Sequence, residues 1–121
     1  MLPMSALGKV AGAGRELRRA PRYNVDVRLR LIVYKGGKNV AIHGRGNDIS
    51  ETGMAIFVAH EFEIGERLEI EFTLPYSRHP IRAGIAIRNR NGYRYGVEFL
   101  TLSAPQRDEI LRLCKALTLI Q

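Results

Sequence analysis

Apolar side chains recur at every second position in a series of short runs from Val25 onward. Val25, Val27, Leu29, Leu31 and Val33 alternate with mostly polar residues, which predicts a strand with one face buried and one wet. Gly36-Gly37 then supplies a hairpin turn. The chain is expected to return as a second strand over Lys38 to Asp48, with Gly44 and Gly46 marking an irregularity such as a bulge. Met54 to Val58 reads as a third strand, and Glu63-Ile64-Gly65-Glu66 as a turn. Leu68, Ile70, Phe72 and Leu74 alternate with Glu69, Glu71 and Thr73 in a fourth strand that stops at Pro75. Ile81, Ala83, Ile85 and Ile87 give a fifth, Asn91-Gly92 a hairpin signal, and Tyr93, Tyr95, Val97 and Phe99 a sixth. Six short antiparallel strands at regular spacing predict a small barrel or sandwich.

The period then changes. Ser103 and Gln106 have capping-box spacing, and Pro105 falls in a first helical turn, where a missing N–H costs little. Ile110, Leu111, Leu113, Cys114 and Leu117 form a helical stripe expected to pack on one end or flank of the strands. Residues 1–14 are rich in Gly and Ala and read as a flexible tail.

Composition adds a direction. The chain has 121 residues, enough for one domain with a modest core, and a net charge of +7. Residues 1–45 hold ten Lys/Arg against two acidic residues, whereas 46–121 hold nine against ten. The basic excess is therefore N-terminal and favours an anionic partner there, or else a solvated arm. The lone Cys114 allows no internal disulfide and fits a reducing cytoplasm. No signal-peptide pattern or membrane-spanning apolar stretch is read, so no membrane insertion is expected. His43, His60 and His79 are scattered and match neither triad nor metal spacing, so the chain is not expected to be an enzyme or to carry a metal or cofactor.

Two motifs carry candidate chemistry. Arg18 and Arg22 lie four residues apart in Arg-Arg-Ala-Pro-Arg, with Arg19 between them, and Pro21 keeps Ala20 extended. Guanidinium forks bind phosphate oxygens in pairs and bond guanine O6 and N7. Asp48, Ser50 and Gly53 follow in Asp-Ile-Ser-Glu-Thr-Gly. A carboxylate there can accept from guanine N1–H and its exocyclic amine, and glycine permits close backbone approach. Equally, Asp, Ser and Gly are ordinary turn residues joining two strands.

Together, Arg-x-x-x-Arg followed by Asp-x-Ser-x-x-Gly, then Tyr95-Gly96-Val97-Glu98-Phe99 and an amphipathic helix, resemble a PilZ domain from about Arg15 to the end of the chain. The resemblance implies a mainly β fold, a six-stranded antiparallel barrel with a C-terminal helix and a flexible N-terminal arm. It implies a bacterial receptor for cyclic di-GMP. Arg18 and Arg22 would grip phosphates and guanines, Asp48 and Ser50 would read guanine, and Gly53 would let backbone and ligand meet, with Arg19 auxiliary. Ala55 stands where many members have a second glycine. Leu17, where a basic residue accompanies a ligand dimer, implies one ligand per domain.

The expected mechanism is an arm that orders when its clustered arginines are neutralised, presenting a surface to a downstream protein effector. A monomer or weak homodimer is expected. The alternative is a PilZ-like adaptor that binds protein and no nucleotide. Nucleic-acid binding is not expected, because Tyr93, Tyr95 and Phe99 fall on the core-facing pattern rather than on a stacking surface.

Overall fold

The computed structural model describes residues 21–120, with side chains described through residue 118. The tail expected over 1–14 and the basic arm as far as residue 20, with Leu17, Arg18 and Arg19, lie outside the described residues. Six strands follow: β1 (Tyr23–Lys35), β2 (Lys38–Ile49), β3 (Gly53–Val58), β4 (Arg67–Phe72), β5 (Ile81–Asn91) and β6 (Arg94–Phe99), then one helix, α1 (Ala104–Ile120). All pairings are antiparallel. They close a barrel in the order β1-β2-β3-β6-β5-β4, so the barrel rather than the sandwich is realised.

Alternation sets which side chains fill it. Val27, Leu29 and Leu31 of β1, Met54 and Ile56 of β3, Ile70 and Phe72 of β4, and Ile81, Ile85 and Ile87 of β5 are all buried. The β1–β2 hairpin turns on Gly36 and Gly37, at φ of 58° and 79°, which L side chains rarely adopt.

Each end of the barrel is closed differently. At the hairpin end, Phe62 from the β3–β4 connection packs edge-on against Tyr95. The Tyr95 hydroxyl accepts from Phe62 N–H (3.0 Å) and donates to the His60 carbonyl (2.7 Å), so a fully buried phenol is satisfied. The other end is covered by α1, whose Ile110 and Cys114, one turn apart, join the core. Ser103 and Gln106 form the reciprocal cap read from their spacing, with bonds of 3.2 and 3.0 Å. Ser77 and Glu109 are hydrogen-bonded, and the Thr118 and Tyr23 hydroxyls are 2.8 Å apart, tying the helix to the β4–β5 loop and to β1.

Two expectations shift. The irregularity in β2 falls at Asn47, between Gly46 and Asp48, whereas Gly44 and Gly46 themselves face the core side of the ladder opposite Leu29 and Val27. Tyr93 sits in the β5–β6 turn and is half exposed, because the strand begins one residue later than the alternation implied.

Candidate functional site

The bulge in β2 creates the site. Strict alternation from Gly46, which points inward, would send Asp48 into the core as well. The extra residue, Asn47, resets the phase, so Asp48 pairs with outward-facing Ala55 and Ile49 takes the buried position. The carboxylate is thereby delivered to the outer face near the helix-capped end.

Three groups converge on it there. Arg22 Nη1 donates to Asp48 Oδ1 (3.0 Å), Arg94 Nη2 to Oδ2 (3.3 Å), and Ala55 N–H to Oδ1 (3.2 Å). The Asp48 side chain is only 15% exposed, while those of Arg22 and Arg94 are 32% and 44% exposed. Arg22 and Asp48 lie 26 residues apart in sequence, so the hairpin of β1 and β2 is what joins the second arginine of one motif to the first residue of the other. The floor beside them is made of small residues: Ala55 pairs with Gly96, and Gly96 with Asn89 of β5.

The other motif residues are held by the turn itself. Ser50 is 2% exposed, and its Oγ accepts from the N–H groups of Thr52 and Gly53 (3.2 Å each). The Ser50 N–H donates to the Gly53 carbonyl (2.9 Å), so the hydroxyl acts as an internal cap between β2 and β3. Gly53 is needed for strand approach: a Cβ there would strike the Val97 carbonyl of β6. Arg18 and Arg19 lie outside the described residues. Arg94 went unremarked in the sequence, where its only signal was its place on the polar phase of β6 ahead of Gly96.

A cavity of about 210 Å³ separates this turn from α1, lined by Pro21, Tyr23, Glu51, Leu111, Cys114, Lys115 and Thr118. Burial, and secondarily the negative charge of Glu51, push the Cys114 thiol above its ordinary value, which keeps it protonated and unreactive at neutral pH.

The arrangement is suited to recognition. A carboxylate between two guanidiniums can exchange partners with an anion or a hydrogen-bonding base edge. Among the described residues no group of three or more His, Cys, Asp or Glu could hold a metal ion. His43 lies opposite Arg30 on β1, His60 beside Phe62, and His79 next to Ser77, on separate elements. No described helix is long and apolar enough to cross a membrane.

Comparison with known proteins agrees with this architecture. No curated protein sequence gives a match. Among solved structures, the chain is similar to the PilZ domain of YcgR from Escherichia coli with c-di-GMP, at a TM-score of 0.64 and 18% identity, over 84% of this chain and 91% of that one. It is similar to the Bacillus subtilis inhibitor of motility MotI (DgrA), at a TM-score of 0.68 and 18% identity, over 86% of this chain. It spans about half of MotI's length (52%). The PilZ domain of CeSA from a cellulose-synthesizing bacterium gives a TM-score of 0.60 at 15% identity, over 82% of this chain and 99% of that one. At these identities the structural likeness shows the shared fold alone. The pattern of the PilZ domain family matches residues 16–116. With that match spanning most of its length, the chain belongs to the PilZ domain family.

Proposed function

We propose that this PilZ domain, residues 15–121 behind a short tail, is a bacterial receptor for cyclic di-GMP. The observation that carries the reading is the 3.0 Å contact between Arg22 and Asp48, which joins the second arginine of the first motif to the carboxylate of the second. YcgR, a structural neighbour, is described with c-di-GMP bound.

The ion pairs around Asp48 act as a latch that ligand exchanges. Asp48 is only 15% exposed, so an arginine leaves it at small cost only when donors of the ligand replace the bonds it gives up. A guanine edge brings two N–H donors to Asp48, and the freed Arg22, joined by Arg18, turns to the phosphates. Ser50 and Gly53 serve the ligand by fixing the turn that holds Asp48 in place. Neutralised arginines draw the arm onto the barrel, and the ordered arm presents a surface to a downstream protein. Ordering has an entropic cost that the charge-assisted bonds must exceed.

The adaptor reading has one observation in its favour: Arg22, Arg94 and Ala55 already satisfy Asp48 without any ligand. The two readings separate on whether cyclic di-GMP binds at all, and guanine reading by Asp48 is tested by base specificity. Adenine has an unprotonated N1 and carries its amine on C6, so it lacks the adjacent N1–H and C2 amine that one carboxylate accepts as a pair. Cyclic di-AMP should therefore bind at least about a hundredfold more weakly. Asp48→Asn should weaken cyclic di-GMP binding by about tenfold or more. Equal binding of both dinucleotides, or no effect of Asp48→Asn, would contradict guanine reading by this carboxylate.

A further inference from the structure

One position along the barrel from Asp48, the outer face carries a lateral row that neither motif includes. Arg45 of β2 pairs with Phe57 of β3, and Phe57 with Arg94 of β6, placing the three side by side across adjacent strands. Phe57 is 46% exposed and lies on the outward phase of a strand whose Met54, Ile56 and Val58 all point into the core. Both flanking guanidiniums are held from the side by carboxylates. Asp26 Oδ1 accepts from Arg45 Nε (3.1 Å) and Nη2 (2.5 Å), and Asp48 Oδ2 accepts from Arg94 (3.3 Å). Among the described residues no guanidinium lies over the Phe57 ring and no aromatic stacks on it.

A single exposed Phe is unremarkable on a protein surface. An open aromatic ring flanked by two arginines is a different object, because it offers a π-face for a purine and cations for the attached phosphate. Its position also fits. Phe57 lies two residues beyond Ala55, the partner of Asp48, hence about 7 Å along β3 from the position beside the guanine-reading residue. Arg94 belongs to both groups. A cyclic dinucleotide carries two purines on one small ring of phosphates and sugars, and can reach two such neighbouring positions together.

We propose that the row Arg45–Phe57–Arg94 is a stacking platform for the second purine of the bound dinucleotide, while Asp48 reads the first. This rests on the cyclic di-GMP reading above and adds Phe57 and Arg45 to the specificity-determining residues. Because Phe57 faces outward, its replacement leaves the core packing untouched, and thermal unfolding should be nearly unchanged.

The test is calorimetric titration of cyclic di-GMP into the whole chain and into Phe57→Leu, Phe57→Tyr, Arg45→Gln and Arg22→Ala variants. A ligand with one of its two guanines replaced by 2-aminopurine, whose fluorescence is quenched on stacking, gives a second readout. The expected result is about tenfold weaker binding and lost quenching in Phe57→Leu, near-normal behaviour in Phe57→Tyr, and weakening in Arg45→Gln. Phe57→Leu and Arg45→Gln binding like the parent while Arg22→Ala abolishes it would overturn the platform and leave the receptor reading intact. No binding by the parent chain would overturn both.

Discussion

Ser50 is buried, and its hydroxyl accepts the N–H groups of Thr52 and Gly53. Ser50→Ala leaves these two turn donors without that acceptor, so it should lower stability by about 1–3 kcal/mol even in the absence of ligand. A thermal melt of the ligand-free protein checks this, and an unchanged midpoint would contradict the capping role. Gly53→Ala forces a Cβ against the Val97 carbonyl and should cost a similar or larger amount, about 1–3 kcal/mol, through displaced strands. The same melt decides it. The sequence showed both residues clearly, but it left a turn role and a ligand role side by side, since Asp, Ser and Gly satisfy either. In the structure Ser50 and Gly53 build the turn, and Asp48 and Arg22 pair on the outer face, with Asp48 15% and Arg22 32% exposed. Arg94 was illegible for a different reason. Its partner is Asp48, 46 residues away, and only the closing of β3 onto β6 brings them together.

The strands were legible because alternation and packing agree: the apolar phases found in the sequence became the inner wall of the barrel, apart from Tyr93 at the β5–β6 turn. The helix was legible through its cap. Ser103→Ala should cost about 1 kcal/mol of stability, read as a lowered thermal midpoint. Phase is where pattern reading ended. A two-residue period has no memory across a bulge, so the turn of Asp48 from inside to outside at Asn47 depends on pairing with β1 and β3. The core side of α1 makes a chemical prediction as well. Burial and Glu51 raise the Cys114 pKa, so the folded chain keeps this proton to higher pH than the unfolded chain does. The associated stability is fully present below the ordinary thiol value and is lost as pH rises through the raised one. Alkylation of Cys114 at neutral pH should be much slower in the native protein than in denaturant, and equal rates would contradict its packing.

At the scale of the molecule, a rigid barrel closed by Phe62 at one end and α1 at the other presents one outer face with motif residues from both ends of the first hairpin. Arg22, the first described arginine, is hydrogen-bonded to Asp48 on that face. Family membership establishes the frame, and the ligand is the proposal built upon it. The most direct test is isothermal titration of cyclic di-GMP into the whole chain alongside Arg18→Ala and Arg22→Ala. The account predicts micromolar or tighter binding, about −8 kcal/mol or better, at one ligand per chain, and its loss in both variants. No binding by the parent chain, or binding that both variants retain, would contradict it.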